Sequence, residues 1–194
     1  MALINRPIPS QVGLAFAKQL FAPTLRSGHY FIWATVFGAS IWQGSIGAYT
    51  SFKALPRRDF GRLQAKLFPV YFSLTAGGTA FLAASFAVLH HGRILKSTTS
   101  AWDPTIVQSV VLATASVAQA LNYFVVGRKA TQVMFKRHAL EAAEGKDYSD
   151  PTVSAQMKDL TKNFSKLHGY STILNMACFS ALIVQGFWLA NFGL

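Results

Sequence analysis

The sequence predicts an all-α fold: a four-helix transmembrane bundle with an N-terminal amphipathic helix and a cytoplasmic helical hairpin between spans three and four. Three observations predict it. Of the 194 residues, 52% are hydrophobic and only 13% are charged, about half the charged share of a soluble domain. Four stretches carry no Lys, Arg, Asp or Glu: between Arg26 and Lys53, between Lys66 and Arg93, between Asp103 and Arg128, and from Lys166 to Leu194. Each exceeds the ~20 apolar residues that a spanning helix needs. The formal net charge of +11 is concentrated between those stretches. A soluble bundle would need charged outward faces along its helices, and these have none.

The elements follow in order. Residues 1–28 are read as an interfacial segment. Within it Ser10–Phe21 patterns as a helix lying on the membrane, with Val12, Phe16 and Leu20 toward lipid and Lys18 toward water. Lys18 also interrupts the apolar run that a secretory signal would require. Residues 29–194 form the membrane domain, with spans at about 29–52, 68–89, 104–126 and 168–190. Asp103 and Pro104 suit the N-cap and first turn of span three.

The first loop opens with Leu55-Pro56-Arg57-Arg58-Asp59-Phe60. From Pro56 onward, Phe60, Leu63 and Leu67 recur at helical spacing, and Arg58, Arg62 and Lys66 recur every four residues on another side. This predicts a short surface helix in the headgroup layer, turning into span two at Pro69. Arg57, Arg58, Arg62 and Lys66 are the candidate contacts to a lipid headgroup or an acidic partner, beside the plainer reading of a topology anchor.

Residues 127–167 are too long for a plain connection. Arg128–Glu144 reads as one helix ending at Gly145, and Asp150 with Pro151 as the start of another. Val153, Met157, Leu160, Phe164 and Leu167 form an apolar stripe on the second arm. An antiparallel hairpin follows, whose exposed apolar edge would dock a partner; the alternative lays the stripe flat on lipid.

Charge sets the orientation. The loops between spans one and two and between spans three and four hold thirteen Lys and Arg, and the opposite side holds five. Excess Lys and Arg stay on the cytoplasmic side, which places both termini on the non-cytoplasmic or non-matrix side. An endomembrane (ER or secretory pathway) is favoured, with the mitochondrial inner membrane as the alternative. Trp33, Trp102 and Trp188 fall at one set of span ends, and Tyr71, Tyr123 and Tyr170 at the other, as interfacial belts do.

The string LPRRDFGRLQAKLFPVYF, preceded by Trp42 and Gly44, closely resembles the signature of the transmembrane protein 205-like family, also described as a domain of unknown function. Asn122, Thr131 and Met134 resemble a second stretch, and Asn163, Phe164, His168, Gly169, Ser171 and Asn175 a third. The resemblance covers roughly Gly28 to Gln185. It departs after span three, where Gly127-Arg128-Lys129 stands in place of an expected proline. The resemblance implies a four-span membrane protein and brings no reaction with it.

Polar residues inside the spans need partners. The candidate intramembrane cluster is Gln43, Gln119, Asn122, His168, Ser171, Asn175 and Gln185; on span four the last four share one face with Cys178. Gln108 shares the span-three face. Small residues Ser40, Gly44 and Ala48 in span one, and Ala76, Ala80 and Ala84 in span two, suit close helix packing.

No catalytic, metal or cofactor site is expected. His90-His91 point about 100° apart on a helix, His168 and Ser171 lack an orienting acid, and no nucleophile-elbow, phosphate-loop or dinucleotide motif occurs. His138, Glu141 and Glu144 read as a solvated charged face. The lone Cys178 makes no intramolecular disulfide. Topology accounts for the basic charge, so nucleic acid is not a partner.

The function expected is therefore a non-enzymatic scaffold, accessory subunit or lipid-interacting organiser. Its partners are membrane lipids, a protein or larger membrane complex, or a second copy. The alternative is a small-molecule or lipid transporter using the polar face between spans three and four, which a continuous polar cavity there would favour.

Overall fold

The computed structural model describes residues 18, 22–96 and 102–194, and they form helices with no strand among them. The helix expected at Ser10–Phe21 lies outside the described residues except for Lys18, which is helical and exposed.

The chain enters α1 (Leu25–Ile41) through a capping box: Thr24 Oγ1 accepts from the Ser27 N–H, and Ser27 Oγ accepts from the Thr24 N–H. α1 runs through a π-helical segment, Trp42–Ile46, into α2 (Gly47–Ala54). After Pro56, α3 spans Arg57–Leu89, with Asp59 in the first turn complementing its dipole. A short α4 (His91–Lys96) follows. Asp103 accepts from the Thr105 N–H at 2.7 Å and Pro104 takes the first turn of α5 (Pro104–Leu121). A second π-helical segment, Asn122–Val126, leads into α6 (Gly127–Glu144). α6 stops at Gly145, whose φ of 66° is left-handed backbone that glycine adopts freely. Ser154 caps α7 (Ala155–Phe192) by accepting from the Met157 N–H.

Two expectations are corrected. There is no separate surface helix before span two, because α3 is continuous for 33 residues with Pro69 inside it. Its packed neighbours hold it together across the hydrogen bond that the proline removes. The second arm of the hairpin starts at Ser154 rather than Asp150. The Asp150 carboxylate accepts from the Thr152 N–H and hydroxyl at 2.7 and 2.6 Å, so it closes a turn instead of opening a helix.

α3 packs against α1 and α5, α5 against α7, and α7 against α1 and α6, giving a closed ring of rods. Val36, Leu82, Phe86, Leu112 and Leu182 fill its centre. Its outer surface is apolar: Phe31, Val70, Phe124, Ile173 and Phe187 are exposed. Three rods, Arg57–Leu89, Pro104–Glu144 and Ala155–Phe192, are long and apolar enough to cross a membrane. An apolar exterior around a partly polar interior is what a bilayer demands.

Close approach of α1 and α3 depends on Gly78, where a Cβ would lie 2.2 Å from Val36 Cγ2. Among the expected small residues, Ala80 and Ala84 are exposed, so the stripe in span two is not the contact; Gly78 is. Trp33 and Trp188 are packing residues rather than belt residues. Trp33 donates to the Leu182 carbonyl at 2.9 Å, and Trp188 stands edge-on to Phe86 inside the core.

Gly78→Leu is expected to overpack the α1–α3 contact and cost about 1–3 kcal/mol, lowering the thermal unfolding midpoint in detergent. Gly77, whose Cβ would meet nothing within 4 Å, is the control. Equal midpoints for the two leucine variants would contradict the packing assignment.

Candidate functional site

Two polar layers tie the four long rods together. In the first, Gln108 on α5 donates to Gln185 Oε1 on α7. Gln185 Nε2 donates to His29 Nε2 on α1 at 2.9 Å, and His29 Nδ1 lies 2.7 Å from Ser85 Oγ on α3. Ser85 spends its own proton on the Phe81 carbonyl. The network assigns the proton of a neutral imidazole to Nδ1, so every donor points the same way round the bundle.

In the second layer, Asn175 Oδ1 on α7 accepts from Gln119 of α5 at 2.9 Å and from the Tyr71 hydroxyl of α3 at 2.8 Å. Tyr71 also lies 3.3 Å from Ser40 Oγ on α1. Just below, Asn122 Nδ2 donates to the Ser171 carbonyl at 3.1 Å.

The structure therefore brings Gln119, Asn122, Ser171, Asn175 and Gln185 together along the α5–α7 seam, bonded directly across it. Gln43 sits apart, donating to Gln64 Oε1 at 2.8 Å. His168 lies outside the cluster; it is exposed and stacks on Phe164. Sequence reasoning missed His29, Tyr71, Ser85 and Gln64. His29 and Ser85 are 56 positions apart, and no local pattern connects them.

The basic end holds a second arrangement, which corrects the reading of Glu141 as part of a solvated face. Glu141 is fully buried. Its carboxylate accepts from Arg57 at 2.5 Å and from the Tyr148 N–H at 3.1 Å, with Arg58 Nε 3.5 Å away. Arg57 also reaches Asp147 at 3.0 Å, so this candidate headgroup contact is engaged within the protein. Hydrogen bonds from Ser149, joined by Arg57, hold Asp147 below its usual carboxylate range. Arg62 and Lys66 are exposed, Arg62 pairing only with neighbouring Asp59.

Arg137 is the exception among the arginines. It is only 7% exposed, lies between the rings of Tyr148 and Phe164 at 4.5 Å from each, and has no carboxylate partner among the described residues. Burial, reinforced by the charge of Arg57, pulls its guanidinium below its usual pKa. Arg57 and Arg58 pair with Glu141 and Asp147, whose charges also reach Arg137, so three cations share two carboxylates.

A cavity of about 490 Å³ adjoins this cluster, within the range of about 300–1,000 Å³ for small-molecule sites. Phe60, Phe68, Phe72, Met134 and Met176 form its apolar wall, and Gln64, Arg137, His138 and His168 its polar parts. Gln64 Nε2, Arg57 Nη1 and Arg137 Nε have no acceptor. Both π-helical segments border this space, through Gln43 and Gly44 of the first and Gly127 just after the second. A Cβ on Gly127 would lie 2.7 Å from the Asn122 carbonyl and 2.9 Å from Phe72, so the wider turn excludes any larger residue there. Among the described residues, no three His, Cys, Asp or Glu are grouped to hold a metal.

The pattern of a domain of unknown function, DUF4149, matches residues 31–139, just over half of the chain. Transmembrane protein 205 of Danio rerio is 26% identical over 84% of this chain and 89% of its own length. Xanthocillin biosynthesis cluster protein D of Aspergillus fumigatus is also 26% identical, over 84% of this chain and 87% of its own. No solved structure matches the chain.

Glu141→Ala is expected to take the buried acceptor from the half-buried Arg57 and from the Tyr148 N–H and to cost about 1–3 kcal/mol. Asp59→Asn, on the exposed pair with Arg62, is expected to cost no more than about 1 kcal/mol. Thermal unfolding in detergent compares the two, and similar losses would refute the buried role of Glu141.

Proposed function

Because this chain belongs to the DUF4149 family, and so to a family of apolar helical membrane proteins, we propose that it acts as a non-enzymatic, four-span organiser of anionic lipid. The observation that carries this reading is the inverted bundle. Polar side chains are bonded to one another inside it, apolar side chains cover its outside, and the basic residues gather at one end. The first span in this reading is the rod formed by α1, the π segment and α2, continuous from Leu25 to Ala54. The basic end faces the cytoplasm or the matrix, as the excess of Lys and Arg favours, and both termini lie across the membrane in an endomembrane.

At that end Arg58, Arg62 and Lys66 are exposed on the first turns of α3. Each such cation near an anionic leaflet contributes about 1 kcal/mol. α6 and the start of α7 extend there as a hairpin, with Val153 and Met157 buried in it. That burial favours a hairpin over a stripe lying flat on lipid. It also takes up part of the apolar edge that would dock a protein, while Leu160, Phe164 and Leu167 stay half-buried.

Organising is favoured over transport by the α5–α7 seam. The polar face that a transport path would use is closed by the Gln108–Gln185, Gln119–Asn175 and Asn122–Ser171 contacts. The cavity at the basic end meets this face only at its margin, through Ser171 and Asn175, whose carbonyl and Oδ1, respectively, are already engaged across the seam.

Replacing Arg62 and Lys66 by Glu tests the lipid role, leaving Arg58 to hold Glu141. In nanodiscs of mixed phosphatidylcholine and phosphatidylserine, enrichment of the anionic lipid around the protein is expected to fall. Undiminished enrichment would count against the reading. Topology is checked with an impermeant maleimide in a Cys178→Ala background: Ser149→Cys and Leu194→Cys are expected to label from opposite faces. Labelling from one face would end the four-span assignment.

A further inference from the structure

The geometry points to the basic-end cavity as a binding site for an acidic amphiphile, a molecule whose carboxylate or phosphate sits against Arg137, Arg57 and Gln64 while its acyl chain runs along Phe60, Phe68, Phe72 and Met134. The inference rests on the membrane-lipid reading above and adds to it an internal site, separate from the exposed cations of α3.

The charge balance calls for an anion. A buried guanidinium without a directly paired carboxylate is costly. Arg137 touches two aromatic faces and feels Glu141 and Asp147 only across a distance, against the like charge of Arg57. The acids nearby are already committed. Glu141 accepts from Arg57 and the Tyr148 N–H through Oε1, its Oε2 has only Arg58 at 3.5 Å, and Asp147 accepts from Arg57 and Ser149. One monoanionic head would neutralise the excess cation, and its oxygens would supply acceptors that Gln64 Nε2, Arg57 Nη1 and Arg137 Nε lack.

The wall calls for a chain. Phenylalanines and methionines dominate the rest of the lining, and methionine adapts to flexible apolar ligands. A small soluble anion would leave that wall unused.

The mouth lies where a lipid would enter. Phe52 at the end of span one and Met176 in span four both line the cavity and are 57% and 55% exposed on the outer surface. The opening therefore lies between α2 and α7, at the side of the bundle. In that region the first rod's main packing against α7 comes from α1, above the π segment, and not from α2.

The test uses the full chain in nanodiscs with a stearic acid probe carrying a mid-chain diazirine, mapped by peptide mass spectrometry after photolysis. Label is expected on Met134 and Phe164, residues of the cavity wall. Arg137→Gln is expected to reduce it at least fivefold while lipid-facing label, as at Phe187, stays constant. Ala48→Trp, which fills the cavity from α2 without touching the arginine cluster, should also suppress it. Oleate and 1-oleoyl lysophosphatidate should compete, and their ratio tells a carboxylate head from a phosphate head. Oleyl alcohol should compete at least tenfold less well. Label confined to outward residues would overturn the site. Equal competition by oleyl alcohol would overturn the acidic head, and displacement by inorganic phosphate alone would overturn the amphiphile. Persistence of internal label in both variants, with thermal midpoints unchanged, would also refute the proposal. The Arg62 and Lys66 variant should label normally, so failure of the surface reading and failure of the cavity are separable.

Discussion

A hydrogen-bonding side chain carried into hydrocarbon has no water to fall back on, so its partner must come from the protein. Here the partners come from different rods. His29, Ser85, Gln108 and Gln185 contribute one side chain from each of the four long rods, and Ser40, Tyr71, Gln119 and Asn175 do so again nearer the basic end. Interhelical bonds in membranes average only about 0.6 kcal/mol each. Their larger effect is on register, because sliding one rod by a turn would leave several buried groups without partners. Apolar packing of the kind that gathers Leu82, Leu112 and Leu182 in one core permits many registers; these layers permit few.

Below the second layer the bundle changes character. Each of two rods passes through a π-helical segment and meets a glycine immediately after it, Gly47 and Gly127. At both positions a Cβ would crowd the carbonyl that opens the segment, Trp42 at 3.2 Å and Asn122 at 2.7 Å. Gly127, which stands where the resemblance implies a proline, thus has a local reason to be small. Beyond these turns dry packing gives way to the cavity and the arginine cluster. Tight closure in one half and open space in the other suit an anchored protein that engages lipid at one end.

The exposed and buried cations at that end divide the work differently than their clustering suggests. Arg57 and Arg58 neighbour each other, yet Arg57 turns to Glu141 and Asp147 and Arg58 bridges only loosely to the same glutamate. Arg62 and Lys66 stay outside. Arg137, which reads as one more basic residue in a hairpin, is the cation that is buried without a direct ion pair.

Much was legible from local pattern. Charge-free runs marked the apolar rods, Asp103-Pro104 marked the start of α5, and Gly145 marked the end of α6, because burial tendency and capping act over a few residues. Most of the inward face of span four was legible too, since helical period aligns Ser171, Asn175, Cys178 and Gln185, but the same period also put the exposed His168 there. Where a proline or an aspartate had two uses, at Pro69 and Asp150, local pattern chose wrongly and packing or a turn decided. By itself the sequence determined that this protein enters the membrane, and which of its ends is cationic, because hydropathy and charge are properties of single residues and short windows. Only the tertiary structure decided that buried Glu141 meets Arg57, 84 positions away, that Gln185 meets His29 across 156, and that Arg137 lines the cavity. Those pairings depend on how rods far apart in the chain rotate and settle against one another, and no window of sequence contains that information.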